Sequence, residues 1–445
     1  MAKIRLKRGY DLNLAGAADP NGAAEKARST AYAIVPDDFH GIVPRLERQE
    51  GDTVKAGDAL FHDKDAESVK VTSPVSGTVT KVVRGERRKI LAIEITPDGK
   101  GEAKKFAADA SNPISTLLES GLWAMMRQRP YDVVPSPEVR PRDIFVTCFD
   151  SAPLAPSLTR VAGDDAKWIE KGVEVLRQLT NGNVYLGCRE GEAIEAKGAV
   201  TNEFIGPHPA GNAGVQAANI DPVNKGEVIW TLDVVTVARI GHLFATGEMN
   251  YATTVAVTGS EVKEPKYVEA VIGCSISSLI EGNLSSAEGI EPRVISGNPL
   301  TGQVVGAQGW LRAPYRQVTV IPEVAQKDEF MGWASLSPKK YSIYRDFTGW
   351  LLGMTRKPVK LDARLKGGKR AIVMSGEYDR MLPMDIYAEF LIKAIIAFDI
   401  DKMEQLGIYE VAPEDFALAE YADTSKLELQ QIVRDGLDRM RKEMC

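Results

Sequence analysis

The chain is poor in the residues that usually announce chemistry. Its 445 residues include four cysteines, Cys148, Cys188, Cys274 and Cys445, and four histidines, His40, His62, His208 and His242. No CxxC occurs, which removes zinc ribbons, thioredoxin-like dithiols and iron–sulfur cradles. Thiols so far apart suit a reducing compartment, as small buried hydrophobes. The histidines are as dispersed, and no HExxH is present. Also missing are GxxxxGK[ST] for nucleotide phosphates, GxGxxG after a strand for dinucleotides, and GxSxG for a serine nucleophile. No apolar run approaches the ~18 residues that span a bilayer; Leu391 to Phe398, the best, is broken by Lys393. The N-terminus, MAKIRLKR, lacks the apolar stretch of a signal peptide. Cationic excess is absent as well: the net charge is -6 and the pI near 5.6, so nucleic acid is not an expected partner. The expectation is a protein made and kept in the cytoplasm that docks peripherally on a membrane protein.

What is present is an ordinary globular composition, 44% apolar and 26% charged, in a chain long enough for several cores. Four regions are expected. Residues 1–105 read as a small β domain with an N-terminal strand, its short alternating runs separated by Gly51-Asp52, Gly57-Asp58 and Ser76-Gly77. Residues 106–252 read as α/β. Ile144 to Val146 forms a strand, and Asp164 or Asp165 caps a helix bearing Trp168, Ile169, Val173, Leu176 and Leu179. Asn183 to Gly187 forms the next strand, and Asp233 caps a helix from Val234 that stops near Gly247. Residues 253–329 return to strands around Val255, Val268, Val294 and Val318. Residues 330–445 form an aromatic-rich connector and a helical end. There Pro383 fits a first helical turn, Tyr387, Phe390, Leu391, Ile395 and Phe398 supply an apolar face, and Ser425-x-x-Glu428 forms a capping box. Arg370 to Met374 is one more strand candidate, through which the end of the chain could return to the first domain.

Two stretches carry candidate function. Gly206 to Gly214 (GPHPAGNAG) is a glycine-rich loop, and glycines let a backbone approach a ligand closely. His208 within it could hydrogen-bond a carbonyl oxygen; a structural loop is the plainer alternative. Phe330 to Lys357 contains Phe330, Trp333, Tyr341, Tyr344, Phe347 and Trp350, interleaved with Lys339, Lys340, Arg345, Arg356 and Lys357. This pattern suits a docking face, with Trp333, Tyr344, Arg345, Trp350 and Lys357 as its candidates, or an ordinary core with snorkelling cations.

The segment from Gly51 to Val82 resembles the barrel-sandwich domains of biotin and lipoyl carriers. Their cofactor-bearing lysine, however, would align with Ala66, and Lys64 is displaced by two. The order of parts, together with IRLKRGYDLNLAG at Ile4–Gly16, TSPVSGTV at Thr72–Val79, ESGLWAMMRQRP at Glu119–Pro130, PAGNAG at Pro209–Gly214 and VAVTGSEVKEP at Val255–Pro265, resembles one family along nearly the whole chain. It is that of the A subunits of bacterial sodium-translocating NADH:quinone reductases, related to the C subunit of the Rnf complex and to the flavin-carrying subunit of complex I. The resemblance implies an α/β multidomain fold: a barrel-sandwich (biotinyl/lipoyl-like) domain, a Rossmann-like α/β domain, a β-grasp (SLBB/ubiquitin-like) domain and a C-terminal helical domain.

The departures from the flavin-binding relatives are informative. Where those have a GxGGAGFPT-like loop, this chain has Gly121 to Pro130, with Trp123, Met125 and Met126 in place of glycines. Side chains of that size fill the room that a flavin ring or phosphate needs. Their acidic loop is only partly kept, at Phe149 to Pro153. The cysteine cluster of Rnf-type relatives has no cysteine at Glu420 to Lys426. The resemblance therefore implies a subunit that binds no FMN, iron–sulfur cluster, lipoate or biotin and shows no turnover alone. It would sit on the cytoplasmic side of the inner membrane with integral-membrane and flavin-carrying partner subunits, in a complex that oxidises NADH, reduces quinone (ubiquinone or menaquinone) and pumps Na+. Quinone is the possible ligand, with Trp123, His208, Gly211 and Gly214 as candidate contacts. A pure assembly scaffold, with the quinone site wholly in the membrane partners, is the alternative.

Overall fold

The computed structural model describes residues 1–285, 291–324, 340–344, 348, 351 and 357–444. At its centre is a six-stranded sheet in the order Ala2–Arg5, Ala199–Ile205, Val184–Arg189, Ile144–Thr147, Ile229–Asp233, Arg127–Arg129, parallel except for the last strand. Successive side chains of a strand point to opposite faces, and this sheet is covered on both. Ile144, Val146, Val184 and Leu186 face the helices Ile169–Leu176 and Val234–Thr246. Phe145, Phe204 and Ile229 face the helix Ala213–Ile220 and the C-terminal helices. A parallel sheet buried on both sides reads in sequence as continuous apolar runs, as IFV and VYL do here.

Two small antiparallel sheets, the four-stranded one containing Gly77–Arg84 and Ile90–Pro97 and the three-stranded one containing Ala59–Asp63, share the apolar core of Val54, Leu60, Phe61, Val79, Ile93 and Ile95. A third unit is a mixed six-stranded sheet running from Gln303–Val304 to Ala24–Lys26. The N-terminal segment departs from the expected grouping. Its first strand pairs in parallel with Ala199–Ile205, and Ala24–Lys26 pairs with Lys266–Val271, so it edges both large sheets before entering the small ones.

Asp233 caps its helix, its carboxylate accepting the Thr236 N–H at 2.7 Å, and Gly247 ends that helix in the left-handed region. Other local expectations fail. Neither Asp164 nor Asp165 caps a helix; Asp165 lies in a 3-10 turn and bonds His242 Nδ1 at 2.8 Å. The Ser425–Glu428 capping box is not formed. The terminal helix begins at Leu429, Ser425 Oγ donates to Ala371 O, and the Glu420 carboxylate takes the Gln430 N–H. Pro383 precedes rather than opens its helix, Ala388–Ala397. Arg370 to Met374 forms no strand and joins no sheet. The end of the chain does return to the first domain, through the terminal helix, whose Asp438 bonds His40 Nε2 at 2.7 Å. Cys148, Cys188 and Cys274 are free and buried.

Candidate functional site

In the central sheet the chain steps outward from Ile144–Thr147 to the next two strands, then crosses back to its other side as Ile229–Asp233. At such a reversal, loops leave the carboxyl ends of adjacent strands in opposite directions and open a crevice. A cavity of about 230 Å3 lies there. Thr147, Asp150, His208, Gly211 and Asp233 line it from the strand ends. Tyr315 and Arg316 reach it from the third sheet, and Glu414 from the C-terminal part.

His208 is 3% exposed. Its backbone N–H donates to Asp11 Oδ1 at 2.8 Å, and its carbonyl accepts the Tyr10 N–H at 2.8 Å, so the N-terminal segment holds the loop in place. Ser151 Oγ accepts the Gly211 N–H at 2.8 Å and lies 3.0 Å from His208 Nδ1. The serine hydroxyl donates to Nδ1 if the ring carries its proton on Nε2, and accepts from it if the proton is on Nδ1. Nε2 is buried with no hydrogen-bond partner. Burial pushes the His208 pKa down to about 4, so the ring is neutral at physiological pH.

The terminal nitrogens of the cleft's cations are engaged, while Arg316 Nε is buried without a partner. Arg316 clasps Asp233 through both terminal nitrogens, at 2.6 and 3.1 Å. Arg127 donates to the carbonyls of Ala124 and Met126 and, at 2.7 Å, to that of Asp38. Burial would raise the Asp233 pKa, but Arg316 and the Thr236 N–H hold it below its ordinary value. Asp150 is raised by burial. Glu414 is pushed up to about 8 by burial and then by the charge of Asp415, an effect tempered by the solvent that reaches 49% of its side chain. Beneath it Arg129, 1% exposed, donates to Asp415 at 2.7 Å and to Glu410 O at 2.6 Å. Among the described residues, no group of three or more His, Cys, Asp or Glu is placed to hold a metal ion.

The structure brings His208 and Gly211 together at the cleft. A Cβ on Gly211 would come within 2.6 Å of Ser151 N and 2.9 Å of Phe149 O, so glycine is needed for loop to approach loop. Gly214 lies on the following helix, where a Cβ would overlap the Arg129 guanidinium; it makes room for protein. Trp123 does not line the cavity. It is fully buried, donates Nε1–H to Pro135 O at 2.8 Å, and packs edge-on against Trp230 at 5.0 Å. Of the docking candidates, Trp333, Arg345 and Trp350 lie outside the described residues; Tyr344 is half-buried and Lys357 exposed. Sequence reasoning missed Ser151, Asp11 and Arg316. Ser151 follows a strand that was expected, and the rule that ligands gather at the carboxyl ends of parallel strands was the signal that could have found it. Asp11 and Arg316 arrive from distant segments.

Three family models match the chain: the NqrA N-terminal barrel-sandwich hybrid domain over residues 4–98, the NqrA second alpha/beta domain over 109–249, and the NQRA C-terminal domain over 254–306. The chain is similar along its length to proteins named as the A subunit of the Na(+)-translocating NADH-quinone reductase. It is 34% identical to that of Neisseria meningitidis serogroup C, with 99% of this chain and 100% of that one aligned. It is 35% identical to that of Marinomonas sp., with 99% of each, and 35% identical to that of Yersinia pestis, with 99% and 100%. A solved structure of an NAD+-reducing [NiFe]-hydrogenase aligns over 76% of this chain and 63% of that one, at 12% identity and a TM-score of 0.37.

Proposed function

The chain belongs to the family of the A subunit of the Na(+)-translocating NADH-quinone reductase, and on that premise we propose that it receives the ring of a quinone in the cleft beside His208. It is one subunit of a Na+-pumping oxidoreductase complex and works among other subunits. The observation that carries the proposal is His208, which lines the cavity and whose buried Nε2 has no hydrogen-bond partner; we take that nitrogen as the protonated one, with Nδ1 accepting from Ser151. A buried donor without an acceptor costs about 1–3 kcal/mol, and a ligand carbonyl oxygen would relieve it.

The charges favour a neutral ligand. Arg127 and Arg316 are engaged by protein oxygens, while Asp150 and Glu414 face the cleft. A nucleotide phosphate would meet carboxyls rather than open guanidinium forks. A quinone ring is uncharged and carries the acceptors that His208 lacks. The same reading takes the central sheet as a Rossmann-like unit without its glycine loop and the third sheet as a β-grasp. It places the chain on the cytoplasmic side of the inner membrane against integral-membrane and flavin-carrying subunits, with no turnover by the chain alone. No helix of the described residues is long and apolar enough to cross a membrane.

The test is an equilibrium titration of the purified chain with a soluble short-chain quinone, read by tryptophan fluorescence. Saturable one-site quenching, weakened about tenfold in His208→Gln, is expected. Quenching that does not saturate, or that His208→Gln leaves unchanged, moves the quinone to the partner subunits and leaves this chain as a scaffold.

A further inference from the structure

Fourteen large apolar side chains are exposed among the described residues, and six of them lie between residues 365 and 396: Leu365, Val373, Met374, Tyr387, Phe390 and Ile396. Sequence periodicity places Tyr387 and Phe390 on the buried face of their helix. The structure instead turns inward Leu391, Ile392 and Ile395, which join the C-terminal core, and leaves Phe390, Lys393 and Ile396 as an outward stripe. Phe390 is 54% exposed and Ile396 57%. The segment carrying Val373 and Met374 is held beside this helix: Ser375 Oγ and the Glu377 N–H both donate to Glu389, the latter at 2.9 Å.

The same region is cationic in an acidic chain. Lys357 to Ile396 holds eight Lys and Arg against five Asp and Glu. Three of those acids are engaged within the protein: Asp362 with Arg364 at 2.8 Å, Glu389 as above, and Glu377 with Thr424. Arg370, Arg380 and Lys393 are exposed.

We propose that this face rests on an anionic phospholipid surface. The apolar centres of protein interfaces are depleted in lysine, yet Lys393 sits between Phe390 and Ile396. At a bilayer surface that arrangement is favourable: apolar side chains enter the acyl boundary, lysine and arginine stems reach up to headgroup phosphates, and a tyrosine ring lies at headgroup level.

The experiment is co-sedimentation of the full purified chain with vesicles of mixed phosphatidylglycerol and phosphatidylcholine, or of phosphatidylcholine alone. Binding is expected to the anionic vesicles, to fall with added salt, and to be weak on the neutral ones. Lys393→Gln should weaken it about fivefold and Phe390→Ser about tenfold, both at surface positions where circular dichroism should stay as in the wild type. Leu91→Ser, at an exposed apolar residue of the first domain, should leave it unchanged. The proposal is overturned if anionic and neutral vesicles sediment the chain equally, if neither does, or if both variants bind like the wild type. Capture only by vesicles containing the membrane subunits would also overturn it, making the face a protein interface.

Discussion

Trp123 and His208 are both buried nitrogen heterocycles in glycine-bearing loops, and both are sequence candidates for contact with a ligand. The protein treats them in opposite ways. The Trp123 N–H has a carbonyl at 2.8 Å, its ring has a partner in Trp230, and it does not line the cavity. His208 lines a cavity, with one ring nitrogen 3.0 Å from Ser151 Oγ and the other buried without a partner. An unpaired nitrogen is not by itself a site: Trp230 Nε1 is also without a partner, but Trp230 does not line this cavity. What separates His208 from both tryptophans is a ring nitrogen without a partner in a residue that lines the cavity. Trp123 is enclosed by protein, whereas His208 borders space that this chain keeps open.

The sharpest break between the two is in stability. Trp123→Ala removes a large, fully buried side chain and should cost about 3–5 kcal/mol, read as an earlier first transition in denaturant unfolding followed by circular dichroism. Quinone affinity per folded molecule should not change. A variant of intact stability but weakened quinone binding would put Trp123 back in the site and erase the contrast.

The second difference lies in pH. The folded-state pKa of His208, about 4, is below its ordinary 6.5. Its contribution to stability is therefore complete above about pH 6.5 and disappears as pH falls toward 4, because the unfolded chain takes up a proton that the folded chain refuses. The difference corresponds to about 3 kcal/mol. Wild type should lose stability relative to His208→Gln across that window, and the two curves should run parallel above it. Parallel curves throughout would mean that the ring is hydrated and charged in the folded state.

How much of this was legible in the sequence follows from the range of the interactions. The central strand Ile144–Thr147, the helix capped by Asp233 and the glycine-rich loop are local patterns, and they were readable. The cleft is not local. It needs the crossover order of the sheet, Asp11 from the N-terminal segment, Arg316 from the third sheet and Glu414 from the C-terminal part. The capping box failed for a related reason. Ser425 is 1% exposed and gives its hydroxyl to Ala371 O, so a distant carbonyl outcompeted the helix end. The face of Ala388–Ala397 was misread because its exposed stripe is as apolar as its buried one, and periodicity finds a face only where the two differ.

The smallest expected effect tests the hydrogen-bond chain from which the proposed site is built. Ser151 touches His208 and Gly211 but is not itself argued to touch the ligand. If its hydroxyl donates to Nδ1, imidazole nitrogen NMR of the wild type should show the Nε2–H tautomer alone. Ser151→Ala should admit the Nδ1–H form as well and weaken quinone binding about fivefold, the equivalent of one hydrogen bond of ~1 kcal/mol. Ser151→Thr, which keeps the hydroxyl, should restore the single tautomer. A serine that merely packs would leave the tautomer unmoved by either substitution. If the wild type already holds its proton on Nδ1, the buried Nε2 is an acceptor, and the cleft would call for a ligand that brings a donor instead of a carbonyl.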